Sequence, residues 1–203
     1  MSINVRFLLA LPVNPSIMLI IGITGTLGSG KGTIVDFLVK EKGFAHYSVR
    51  AFVSEEIVRR GMVVNRDSMV IIANDLRKQN SPSYITDRLF EKALEAGKDS
   101  IIESIRTPGE VISLRTKGKF YLLAVDADPV VRYERITLRK SATDQVSFET
   151  FLGNEQREMR SSDPNAQNIG KCIRMADFHL LNNGTIEQLN EQVEEVLRKI
   201  KRQ

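Results

Sequence analysis

Residues Gly22 to Thr33 read GITGTLGSGKGT, with five glycines, three threonines and one lysine in twelve positions. Successive backbone N–H groups wrap an anion only where side chains leave the approach open, and a neighbouring ammonium adds a full positive charge. The apolar run MLIIGIT precedes the loop and TIVDFLVKEKG follows it, so a strand delivers it and a helix N-terminus opens behind it. That context is what a phosphate-binding loop requires. With glycine near 7% of residues, a chance match at six fixed positions has odds of about 10⁻⁵ in such a chain, which argues against a merely flexible turn. The expected triphosphate-binding residues are Gly25, Thr26, Leu27, Gly28, Ser29, Gly30, Lys31, Gly32 and Thr33, with Lys31 reaching the β and γ phosphates. Gly32 stands where the commoner loop puts a magnesium-binding hydroxyl. The metal is therefore expected on phosphate and water, with no direct protein ligand and with Thr33 and Glu103 acting at most through water.

Arginines supply the second set of candidates. They make up 17 of the 29 basic residues, and the planar guanidinium fork suits phosphate better than an ammonium does. Arg50 and Arg106 each follow an expected strand on either side of the glycine loop, and are the candidates for a second, acceptor phosphate. Arg77 either joins them or forms a surface ion pair with Asp75. Arg132, Arg135 and Arg139 are spaced by three and four, which places them on one helix face. Like charges there repel unless an anion neutralises them, and the alternative is a solvated face partly balanced by Glu134. His46 and His179 face no nucleophile and are read as packing or surface groups.

Five short apolar runs must position these residues: 18–24, 44–49, 100–105, 120–125 and DFHLLNN at 177–183. They alternate with longer amphipathic stretches, the pattern of an α/β sandwich with a parallel sheet. Thr107, Pro108 and Glu110 form a capping box with proline at the first helical position, and Asp128-Pro129 repeats the arrangement. Gly43 ends the first helix. Thr185 and Gln188 cap the last, whose stripe Ile186, Leu189, Val193, Val196 and Ile200 reads as core packing. Arg106 thus lies at a strand-to-helix junction, where ligands gather in open α/β sheets.

The GxxGxGKGT loop resembles that of the adenylate kinase and wider nucleoside monophosphate kinase group, with Leu27 where those loops commonly carry proline. HYSVRAFVSEEIVRRG is similar to their segment after the second strand, where a polar residue and an arginine hold the acceptor, here Ser48 and Arg50. IIESIRTPGE is similar to their third strand, which ends in an acidic residue and an arginine, here Glu103 and Arg106. RRGMVVNRDSM, RYERITLR, FETFLGNEQREM and ADFHLLNNGTIEQL extend the resemblance to adenylate-kinase-related and dephospho-CoA-kinase-like proteins. It spans nearly everything from Met18 to Val196. It implies a five-stranded sheet in order 2-3-1-4-5, a small lid at about 136–160, and Lys31, Arg106, Arg135 and Arg139 as catalytic residues. Ser48, Arg50, Glu103 and Arg106 would hold the acceptor. Arg157 matches a late arginine of the group, whereas Asn154 stands where another is expected. Asn182, Asn183 and Gly184 are read either as adenine contacts or as a loop and cap.

The resemblance implies transfer of the γ-phosphate of ATP, with Mg²⁺, onto a nucleoside or deoxynucleoside monophosphate. A phosphate acceptor needs no general base, whereas a hydroxyl acceptor does. Dephospho-CoA kinases carry aspartates just after the second strand, and HYSVRAF has none, so a hydroxyl-acceptor kinase is the second reading. A nucleotide-binding regulatory or RNA-associated module with slow ATP hydrolysis is the third.

The bulk numbers agree with one domain of this kind. A chain of 203 residues with 42% hydrophobic side chains builds one well-buried core. A net charge of +4 is compatible with small phosphorylated ligands, and nucleic acid is not the expected partner. A single cysteine, Cys172, forms no intrachain disulfide and fits a reducing, cytoplasmic setting. Two histidines and one cysteine argue against structural zinc. Residues 1–16 are expected outside the fold and 17–203 within it. The run at the start is too short to span a bilayer, and a monomer or homodimer is expected.

Overall fold

In the computed structural model, which describes residues 18–139 and 145–202, the apolar runs form one parallel sheet. Strands β1 (Leu19–Gly25), β2 (Ala45–Ser48), β3 (Ser100–Glu103), β4 (Lys119–Asp126) and β5 (Phe178–Leu181) lie in order β2-β3-β1-β4-β5. All four pairings are parallel, and the register sets Ile23 beside Glu103 and Leu123, and Asp126 beside Leu181. Helices cover both faces, which is why the central strands read as unbroken apolar runs. Ile20, Ile102, Phe120 and Leu122 point into one core layer; Ile21, Ile23, Leu123 and Val125 point into the other.

The second layer is closed by α1 (Lys31–Lys42) and α9 (Ile186–Lys201). The first is closed by α2 (Val49–Arg59), α3 (Arg66–Gln79), α4 (Tyr84–Ala96), α5 (Pro108–Arg115) and the short α8 (Ile169–Arg174). Helices α6 (Pro129–Arg139) and α7 (Phe148–Met159) flank residues 140–144. Of the expected lid, only the end of α6 and the stretch from residue 145 onward belong to the described residues, and the expected extension at 1–16 lies outside them.

The caps expected from sequence form. Thr107 and Glu110 make a reciprocal capping box with Pro108 in the first turn, and Thr185 and Gln188 make another. Gly43 ends α1 in the left-handed conformation. One residue of the last stripe departs from expectation: Leu189, Val193, Val196 and Ile200 are buried, but Ile186 is 60% exposed. It occupies the first position of α9, whose opening turn overhangs the C-terminal edge of the sheet instead of lying on it.

Candidate phosphate-transfer site

A cavity of about 590 Å³ opens at the C-terminal edge of the sheet, between the glycine loop, the end of β3 and the helices that follow β2 and β4. The loop gains its shape from glycine where other residues would fail. Gly30, the N-cap of α1, has φ of 103°, and a Cβ there would overlap the Asn182 amide; Gly25, at φ 141°, would overlap the Val125 carbonyl. Gly32 is different, because a Cβ there meets nothing within 4 Å.

Leu27, Gly28, Gly30, Lys31, Gly32 and Thr33 line the cavity. Gly25, Thr26 and Ser29 sit behind it, and the hydroxyls of Thr26 and Ser29 brace the loop from within. Thr26 Oγ1 donates to Asp126 Oδ1 at 2.7 Å, and Ser29 Oγ donates to the Thr26 carbonyl at 2.9 Å. Asn182, arriving from β5, donates its amide to the Ser29 carbonyl at 2.9 Å. The Lys31 ammonium rests on the carbonyls of Gly25 and Thr26, at 3.0 and 2.7 Å. Burial, and then the positive charge of Arg106, lower its pKa from 10.5 to about 8.

The arginine face divides in two. Arg135 and Arg139 line the cavity, Arg135 donating to the Asn182 carbonyl at 2.9 Å. Arg132, expected beside them, turns into the protein at 2% exposure. It donates to the Ala127 carbonyl at 2.8 Å and the Leu27 carbonyl at 3.3 Å, and pairs with Glu155 of α7. Phe151 packs under its guanidinium, 5.4 Å away. Arg132 therefore ties the glycine loop to α7, a role its spacing did not reveal.

On the opposite wall the cavity takes in Arg50, Glu103 and Arg106, as expected, together with Arg66, Glu158 and Gln167, which sequence reading missed. Arg106 donates to Glu158 and to Gln167, both at 2.8 Å, and Arg66 of α3 pairs with the other oxygen of Glu158. Glu158 thus lies between two guanidinium groups, on a wall that also carries the Glu103 carboxylate. Ser48 is not in the lining. Its hydroxyl caps α2 and donates to Glu103 Oε1 at 2.7 Å, so it holds the carboxylate from behind.

Ser104 is the one non-glycine residue with positive φ among the described residues, at 68°, and it lines the cavity. Such a backbone costs about 1–3 kcal/mol and marks sites that need it. Here it turns β3 so that Ser104 Oγ meets Glu103 Oε2 at 2.8 Å. One alternative is corrected, the surface ion pair of Arg77, and the remaining candidates are placed as follows. Arg77 is no surface residue: it is wholly buried against Glu110 at 2.8 Å, while Asp75 pairs with Arg60. Arg157 is exposed, bonds to the buried Asn154 and lies outside this cavity. His46 stands 3.9 Å from Glu103 and His179 is exposed. Asn182 and Gly184 reach the cavity, with Ile186 beside them, whereas Asn183 accepts from the Asp128 N–H.

Among the described residues no group of three or more His, Cys, Asp or Glu side chains could hold a metal ion. The donors in reach, Thr33 and Glu103, fit a magnesium ion that arrives on nucleotide phosphates and keeps its water. No helix among those residues is long and apolar enough to cross a membrane.

Comparison with known proteins agrees with this architecture. A family model described as an AAA domain matches residues 21–161. A UPF0200 protein of Methanococcus vannielii is 30% identical over 186 residues, covering 90% of this chain and 97% of that one. A UPF0200 protein of Thermococcus gammatolerans is 30% identical over 188 residues, covering 90% and 95%. Among solved structures, TT1252 from Thermus thermophilus matches with a TM-score of 0.56 at 23% identity, over 90% of this chain and 97% of that one. Shikimate kinase from Bacteroides thetaiotaomicron matches at 0.55 and 12% identity, over 89% and 99%. These structural likenesses extend to the fold.

Proposed function

Because the chain belongs to the AAA-domain family and stands with the UPF0200 proteins, we propose that it is an ATP-dependent phosphotransferase whose acceptor is a nucleoside or deoxynucleoside monophosphate. One observation carries this reading: a single cavity has a lysine-bearing phosphate loop on one wall and Arg50, Arg66 and Arg106 on the other. Two cationic walls facing across one space suit two phosphates brought end to end, and phosphoryl transfer consists mostly of such positioning and charge neutralisation.

In this reading the loop amides and Lys31 hold the β and γ phosphates, and Arg135 and Arg139 close over them. Asn182, Gly184 and Ile186 flank the nucleotide's base. Arg50 and Arg106 hold the acceptor phosphate. Glu158 then fills the acceptor's anionic place while that place is empty, and yields Arg66 and Arg106 when the phosphate enters. Magnesium would arrive with the nucleotide and screen phosphate charge, and Thr33 and Glu103 would hold it through water.

The test is ADP release in a coupled assay over a panel of monophosphates, dephospho-CoA and shikimate. Stimulation by monophosphates, lost at least a hundredfold in Lys31→Ala, is the expected result. Full turnover in Lys31→Ala would refute the mechanism. The hydroxyl-acceptor alternative draws on one feature, the carboxylates of Glu103 and Glu158 inside the cavity, either of which could take a hydroxyl proton. Stimulation by shikimate or dephospho-CoA alone would favour it, and ADP release indifferent to every acceptor would favour a nucleotide-binding module.

A further inference from the structure

Glu158 gives both of its oxygens to arginines on the wall opposite the glycine loop. Oε2 accepts from Arg106 Nη1 at 2.8 Å, and Oε1 accepts from Arg66 Nη2. The Glu158 side chain is only 14% exposed, so solvent and salt screen this contact less than an open surface pair. Glu103, the other carboxylate on that wall, is held differently: it accepts from the Ser48 and Ser104 hydroxyls and stands 3.9 Å from His46. Arg106 has one more partner, the neutral side-chain carbonyl of Gln167 at 2.8 Å. Among the described residues, Glu158 is therefore the anion that Arg66 and Arg106 share.

The same carboxylate has somewhere to go. Glu158 sits one residue from the end of α7, and Arg160 leaves that helix with extended backbone, at φ −143° and ψ 133°. A second cavity, of about 490 Å³, lies alongside the first, and Arg66, Val70, Glu158 and Gln167 line both, so they form the partition. Arg157 and Arg160 line the second cavity, and neither is ion-paired among the described residues. A carboxylate driven off Arg66 and Arg106 can turn toward that cationic space without moving the helix.

Charge decides what can drive it off. A carboxylate tethered beside its partners acts at a high effective concentration. A free anion must outcompete it while losing its own translational and rotational freedom. A group with one negative charge restores to the two guanidinium groups only what Glu158 withdraws, so the exchange has no Coulombic gain to offset that loss. A phosphate monoester carries a charge of about −2 at neutral pH and three acceptor oxygens, and so adds a unit of charge between the two planar forks. We propose that Glu158 is a charge gate, which restricts this wall to phosphate monoester dianions and shuts out carboxylates, sulfate esters and phosphate diesters. This rests on the reading above that the acceptor's phosphate binds at Arg106, and it makes Glu158 a specificity-determining residue for that acceptor.

Methyl phosphate and methyl sulfate test it, because they share a shape and three terminal oxygens and differ by one charge at about pH 7.5. Calorimetric titration of the full chain at constant ionic strength reads both affinities, with the glycine loop filled by a non-hydrolysable ATP analogue and Mg²⁺. The parent protein should bind methyl phosphate at least about tenfold more tightly than methyl sulfate. In Glu158→Gln, which removes the charge and keeps the length, affinity for both esters should rise by about tenfold, bringing methyl sulfate into the measurable range. A glutamate that only braced the fold would give the reverse, a lower melting temperature with weaker ester binding. Equal affinity of the parent for the two esters overturns the gate alone, as does a cooperatively folded variant that binds them no more tightly. The parent comparison decides the matter by itself if the variant does not fold. Binding of neither ester by either protein overturns the acceptor reading of this wall together with the gate.

Discussion

Lys31 carries a consequence that pH reveals. With its pKa lowered to about 8 by burial and by Arg106, the ammonium is largely charged at pH 7 and largely neutral at pH 9. A bound triphosphate favours the charged form and raises that pKa, so binding above pH 8 takes up a proton. Nucleotide affinity, measured by titration with a fluorescent ATP analogue, should be nearly flat from pH 6.5 to 7.5. Above pH 8 it should weaken by up to tenfold per unit. An affinity unchanged to pH 9.5 would mean that Lys31 stays charged or does not touch phosphate. The same shift affects folding with the opposite slope. Between about pH 8 and 10.5 the unfolded chain holds a proton that the folded chain has released, so this group's contribution to stability rises with pH across that window. Gly32 offers a second test at the same scale. Nothing in the protein needs a glycine there, since a Cβ meets open space, and serine is the better helix former. Gly32→Ser should leave the melting temperature within about 2 °C of the parent, and nucleotide affinity should fall by no more than threefold. A larger loss of affinity with unchanged melting would show that the ligand itself occupies the space beside Gly32.

At the scale of elements, the load falls on α6 and α7 in a way that spacing alone concealed. Arg132 joins the Leu27 carbonyl of the loop to Glu155 of α7 from a nearly solvent-free position. Removing one partner of such a pair strands the other, which costs about 3 kcal/mol. Arg132→Met should therefore lower the melting temperature by about 6–12 °C. Arg132→Met/Glu155→Leu should recover much of that loss, since replacing both charges removes the stranded one. A double variant no better than the single would place the cost elsewhere. This pair also shows where sequence reading stopped. The strands and the caps at Thr107, Thr185 and Gly43 were legible because each follows from local rules of burial and backbone satisfaction, whereas the strand order was legible only through the family resemblance. The loop was legible for the same reason: its chemistry is contiguous. Arg77, Arg132 and Glu158 were not, because a charged side chain reads as solvated until its partner is known. Their partners lie 33, 23 and 52 to 92 residues away. Ser104 gave no signal, since serine at positive φ is a product of what β3 must deliver and not of its own preference. Helix α3 was passed over because the residues it gives the cavity begin with Arg66, which breaks the apolar periodicity by which a buried helix face is recognised.

For the molecule as a whole, the single cysteine reports whether the two core layers and the site open together. Cys172 lies on α8, fully buried in the layer that also contains Ile20, Ile102 and Leu122, the side chains β1, β3 and β4 send to that face. Burial pushes its thiol up to about 12, so the folded protein presents almost no thiolate at pH 8 and a thiol reagent must wait for an opening. If α8 opens only when the sheet does, the labelling rate tracks the global unfolding equilibrium while reclosing outpaces the reagent. A ligand present at a hundred times its dissociation constant stabilises the native state by about 2.7 kcal/mol. Labelling should then slow by about a hundredfold on adding saturating ATP analogue, even though the glycine loop and Cys172 belong to opposite faces of the sheet. In Lys31→Ala the same addition should leave the rate nearly unchanged, because weakened binding removes the linkage and not the thiol's burial. Fast labelling that ignores nucleotide in the parent protein would mean that α8 opens on its own. The central strands would then be the smallest unit that nucleotide binding holds together.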